Sequence, residues 1–216
     1  MSTIILVRPG CTDFDEQNRI QGTLDLPLNE RGQEQVRRTI EELRDSPLEI
    51  VYTSPCEPAR STAAQIGQAL DLPVKELEGL RNLNQGLWQG LQVDDLRRKQ
   101  PRVFKQFQES PESICPPQGE LVRDAMERVR KSLEKPLKRG ISFAVVASEP
   151  LATMIASVAT GRKLEFTGPL TQSCGERIWE ILRPEGTPAS GKYPSDDGRN
   201  GIPVAVAHAH RGHHTD

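Results

Sequence analysis

Residues 3–7 read Thr-Ile-Ile-Leu-Val, and Arg8-Pro9-Gly10-Cys11-Thr12 follows directly. The apolar run is too continuous for a strand with one wet face, so it predicts a buried strand in a sheet covered on both sides. Working outward, Val36, Ile40 and Leu43 fall on one helical face between Asn29 and Arg44, with Asn29 placed to cap the helix. Ile50–Tyr52 reads as a second short strand. A helix is expected from Pro55 to about Leu70, because prolines at 55 and 58 remove only amides that lack intrahelical partners. Strand, helix, strand, helix is the rhythm of an α/β layer fold.

Residues 80–120 break that rhythm. They are polar and proline-rich, with one helical stretch around Asp94–Phe107, and predict an excursion capping one end of the sheet. Leu121–Leu137 is then an amphipathic helix, Ser142–Ala147 a buried strand, Pro150–Thr160 a helix and Ile178–Leu182 a last strand. From Pro184 the chain is rich in Pro, Gly, Ser and Asp, and an irregular extension is expected despite the apolar run Ile202–Ala207. The domain expectation is therefore one α/β domain over residues 1–183 and a histidine-containing tail over 184–216.

The chain has 216 residues and a formal net charge of −2. That balance offers no basic footprint for nucleic acid. No apolar run approaches a membrane span, and the amino terminus lacks a basic lead-in and a small-residue cleavage site. Cys11, Cys56, Cys115 and Cys174 form no CxxC pair, so reduced, structural thiols and a cytoplasmic location are expected. Every histidine lies in the tail, at 208, 210, 213 and 214; residues 1–207 hold no imidazole for acid–base, nucleophilic or metal chemistry. The tail histidines could hold a divalent ion, but without a rigid scaffold adventitious affinity is the simpler expectation, and no metal or cofactor is assigned.

Six segments in order carry a resemblance: LVRPGCT (6–12), RIQGTLDLPLNERG (19–32), YTSPCEPARSTA (52–63), LRNLNQGLWQGL (80–91), CPPQGE (115–120) and VVASEPLATM (145–154). Together they resemble the histidine phosphatase superfamily, which includes cofactor-dependent phosphoglycerate mutases. The resemblance implies a three-layer α/β/α domain with a mixed, mostly parallel sheet. It also implies a phosphoryl-accepting histidine in an R-H-G triplet, two arginines and a second histidine around the phosphate, and a carboxylic acid that protonates the leaving group.

The pattern departs at those positions. The triplet is Arg8-Pro9-Gly10, and the proline nitrogen, an amide, has no lone pair to offer. Pro58 stands where the second arginine is expected; Arg60, two residues on, lies about 200° around a helix axis. Asn82 replaces the acid and Asp15 a phosphate-holding asparagine. Either Ser148 or Glu149 takes the place of the second histidine, depending on how the strand end is aligned. The expectation is a catalytically degenerate homologue whose vestigial pocket holds Arg8, Pro9, Gly10, Asp15, Pro58, Asn82, Ser148 and Glu149, with Arg8 neutralised internally by Asp15 or Glu149. It would act by binding an unidentified protein partner or, weakly, a small anion. The rival is a hydrolase with altered chemistry using Cys11, Asp15 or Glu149. Trp88 and Trp179 are expected in the core, and the basic stretch Arg97, Arg98, Lys99, Arg102 and Lys105 on a solvated face.

Overall fold

The computed structural model describes residues 2–111, 115–164, 166, 174–175 and 177–183. The expected tail lies outside them. Five strands form one sheet: β1 (Ile4–Val7), β2 (Ile50–Thr53), β3 (Val74–Glu76), β4 (Phe143–Val146) and β5 (Trp179–Leu182), in the order β3-β2-β4-β1-β5. The first four are parallel; β5 runs antiparallel to β1. Helices are α1 (Asp13–Glu16), α2 (Glu30–Leu43), α3 (Ala59–Leu70), α4 (Val93–Lys99), α5 (Pro101–Glu109), α6 (Val122–Lys138) and α7 (Leu151–Thr160).

Strand alternation divides the interior between two faces. Ile5, Val7, Val51, Ala144 and Val146 pack with Ala63 and Ile66 of α3 and Leu43 of α2. Leu6, Tyr52, Phe143 and Val145 pack on the other face with α6 and α7. This is the expected three-layer arrangement, and continuous apolar strands are its consequence. β3 escaped the sequence reading because Val74, Lys75 and Glu76 are all exposed, leaving no hydrophobic pattern to read.

The helix expected from Pro55 begins only at Ala59, with Pro58 at its N-cap. A residue before proline is pushed out of the α region, so Glu57 cannot be helical ahead of Pro58. The same rule splits the single helix expected over Asp94–Phe107 into α4 and α5 at Gln100, ahead of Pro101. The excursion is part of the core rather than a loose cover: Leu80, Leu83, Trp88, Leu96, Phe104 and Phe107 are buried in the α6–α7 layer. Trp88 and Phe107 meet edge to face, their ring centroids 5.5 Å apart. Arg128 of α6 clamps the excursion, pairing with Glu120 at 2.7 Å and donating to the carbonyls of Gly79 and Arg81.

The cysteines overturn one expectation. Cys11 and Cys174 form a disulfide across a sequence separation of 163 residues. Antiparallel pairing explains it: Val7 sits opposite Trp179, so the segment leaving β1 and the segment entering β5 emerge side by side. Cys56 is a buried free thiol and Cys115 an exposed one. The reduced-thiol ground for a cytoplasmic location falls with that bond. Among the described residues, no helix is long and apolar enough to cross a membrane.

Candidate functional site

Strands β1 and β4 are neighbours, yet β1 leads to α2 on one face of the sheet and β4 leads directly to α7 on the other. Chains diverging from adjacent strand ends leave a crevice there, the usual ligand position of an open α/β sheet. Arg8 follows β1, and Ser148 and Glu149 follow β4, so the topology brings these sequence-selected residues together.

The crevice is filled from within. Arg8 Nε donates to Glu149 Oε1 at 2.8 Å, and a terminal guanidinium nitrogen donates to Glu180 Oε1 at 2.7 Å. Burial works to lower the Arg8 pKa, but the charges and hydrogen bonds of Glu149 and Glu180 outweigh it and hold the guanidinium above its ordinary value. The other Glu149 oxygen accepts from the Thr153 amide at 3.2 Å and its hydroxyl at 2.8 Å. A carboxylate therefore bridges the guanidinium and the first turn of α7, where an external anion would be attracted.

A parallel device sits one strand away. Glu57 precedes Pro58 as Glu149 precedes Pro150, and its Oε2 accepts from the Ser61 amide at 3.1 Å and hydroxyl at 2.6 Å. The sequence E-P-x-x-[ST] occurs at both places, a signal that spacing alone could have exposed. Each copy spends a helix N-terminus on the chain's own carboxylate.

The loop after β1 is also satisfied internally. Gly10 N donates to Thr62 Oγ1 at 3.2 Å, Cys11 N to Gln35 Oε1 at 2.9 Å and Thr12 N to Asp15 Oδ2 at 2.8 Å. Arg8 N donates to the Ile178 carbonyl, and Pro9 has no amide hydrogen. None of these amides is left aimed at a ligand.

Asp15 differs from its expected part. It does not close on Arg8; it forms a capping box with Thr12 at the start of α1, and the carboxylate beside Glu149 is Glu180. Glu180 escaped the sequence reading because its position depends on the antiparallel register, Leu6 opposite Glu180, which no local pattern specifies. Asn82 is buried, and its Nδ2 donates to the carbonyls of Gly22 at 2.8 Å and Glu149 at 3.2 Å, while Oδ1 accepts from Leu83 N. Ser148 is buried and its carbonyl accepts from Ala152 N. Pro58 contributes no charge, and Arg60 faces Glu76 and Glu57 at 3.4 and 3.7 Å on the exposed side of α3. Among the described residues, no cluster of three or more His, Cys, Asp or Glu side chains is placed to hold a metal ion.

A sequence profile of the histidine phosphatase superfamily (branch 1) matches residues 4–181. The chain belongs to the histidine phosphatase superfamily. Among its superfamily relatives, phosphoserine phosphatase 1 of Hydrogenobacter thermophilus is 32% identical over 185 residues, covering 86% of this chain and 88% of that one. An uncharacterized phosphatase, PhoE of Bacillus subtilis, is 35% identical over 101 residues, 47% of this chain and 52% of its own. Among solved structures of the superfamily's fold, Bacillus stearothermophilus YhfR superposes with a TM-score of 0.71 at 25% identity, covering 84% of this chain and 90% of that one. A mycobacterial glucosyl-3-phosphoglycerate phosphatase in complex with VO3 gives 0.67 at 26% identity, covering 76% and 84%.

Proposed function

We propose that this chain is a catalytically degenerate histidine phosphatase homologue that acts by binding, to a protein partner or weakly to a small anion, and does not transfer phosphoryl groups. The Glu149 carboxylate carries this reading: it accepts from Arg8 Nε, from the Thr153 amide and from the Thr153 hydroxyl. An anion drawn to both the Arg8 guanidinium and the first turn of α7 would have to displace it.

Charge supports the same conclusion. Arg8 contributes one positive charge, against one negative charge each from Glu149 and Glu180. An entering phosphate dianion would meet a net negative set of side chains instead of a cationic cradle. Pro9 offers no nucleophilic nitrogen, and Asn82, an amide with both ends hydrogen-bonded, cannot act as a general acid near neutrality.

The second reading, a hydrolase with altered chemistry, draws support from relatives named as phosphatases, phosphoserine phosphatase 1 among them. Its candidate groups are otherwise engaged. Cys11 is a disulfide sulfur and so no thiolate, Asp15 caps α1, and both Glu149 oxygens accept hydrogen bonds. Full-length protein incubated with p-nitrophenyl phosphate and O-phosphoserine is expected to match the buffer control, and Pro9→His alone is expected to leave that unchanged. Turnover that disappears in Arg8→Ala would overturn the proposal.

A further inference from the structure

A groove of about 290 Å³ runs between α7 and β5, on the outer side of Glu180. One wall is the stripe of α7 that carries Thr153, Ser157 and Thr160; Arg162, Lys163 and Arg183 line the end away from Arg8, where α7 and β5 both finish. Among the described residues none of these three cations forms an ion pair, in a chain where most exposed arginines do. Among the described residues, the one carboxylate lining the groove is Glu180, and it is already held by Arg8 at 2.7 Å. The described lining therefore carries three cations against one engaged carboxylate.

A helix C-terminus attracts cations, which would account for Arg162 and Lys163 without any ligand. Two observations go beyond that. Near the end of α7 the chain's own groups serve three acceptors: Gly161 N donates to the Ser157 carbonyl, Thr160 Oγ1 to the Ala156 carbonyl and Ser157 Oγ to the Arg162 carbonyl. The cations are thus not needed to satisfy those acceptors. Arg183 belongs to the end of β5, not to the helix, and converges on the same groove.

We propose that this groove is a binding site for a compact polyanion of the phosphate-ester class, separate from the closed crevice at Arg8. Two guanidinium forks and an ammonium suit a group with several anionic oxygens better than a single carboxylate. The groove is at the small end of ligand-site volumes, which fits a compact group rather than a large cofactor. The inference stands independently of whether the crevice is inert, because its cations, Arg162, Lys163 and Arg183, take no part in the crevice, which shares only Thr153 and Glu180 with the groove.

Inorganic pyrophosphate titrated into the 15N-labelled full chain at constant ionic strength tests it. Saturable amide shifts are expected at residues 160–163 and 182–183, without comparable shifts at residues 10–12. The double variant Arg162→Gln/Arg183→Gln, which removes two of the groove's three cations, is expected to weaken binding by about tenfold or more. Shifts centred on residues 10–12 and 149–150 would overturn both this site and the closed-crevice reading. Absence of saturation, or unchanged affinity in the double variant, would overturn this site alone.

Discussion

Arg8 remains at the end of β1, but its environment is that of a structural ion pair. Its partner Glu149 is mostly buried, with 12% of its side chain exposed, so removing that carboxylate leaves the guanidinium with Glu180 alone and two α7 donors without their acceptor. Glu149→Ala is expected to cost roughly 2 kcal/mol in urea unfolding. Glu57→Ala removes a comparable cap without a buried cation behind it and is expected to cost about 1 kcal/mol. Equal losses would show that Arg8 contributes nothing to the first value. At this scale the sequence was half legible. Arg8, Glu149 and Asn82 were singled out because each lies within a short motif, and the need to neutralise a buried cation offered Asp15 or Glu149 as the partner of Arg8, of which the structure shows Glu149. Glu180 and the part Asp15 plays were not legible, since one depends on register and the other on Thr12 capping a helix of only four residues.

The elements around the crevice are set by close backbone approach as much as by side chains. A Cβ on Gly10 would lie 2.3 Å from the Gly32 carbonyl oxygen, and one on Gly32 would lie 2.2 Å from the Cys11 carbonyl oxygen. The loop after β1 therefore rests directly on the first turn of α2, which is why Gln35 can reach the Cys11 amide. Gly10→Ala is expected to lower stability by about 2 to 3 kcal/mol, since backbone rather than a flexible side chain must yield. A loss below about 0.5 kcal/mol in urea unfolding would contradict this packing. Strands with continuous apolar faces and helices with clean stripes were readable from sequence. Boundaries at prolines were not, because the steric demand of Pro58 and Pro101 falls on the preceding residue, and β3 has no buried face to announce it.

For the whole molecule, the three-layer order was legible from element rhythm and motif order, whereas the Cys11–Cys174 bond, a product of topology, was not. Intact mass after alkylation of denatured, unreduced protein is expected to show two labelled thiols, Cys56 and Cys115, and four after reduction. In a chain-entropy account a loop this long contributes about 5 kcal/mol, so reduction should lower the melting temperature measurably. Four thiols labelled without reductant would contradict the bond. The same strand pairing that joins the cysteines delivers Glu180 to Arg8, so the fold itself closes the crevice. The most direct test of that closure is a crystal structure grown in orthovanadate, read at Arg8. The account predicts Glu149 and Glu180 still bonded to the guanidinium, with no vanadate oxygen between them; a vanadate held by Arg8 with either carboxylate displaced would contradict it.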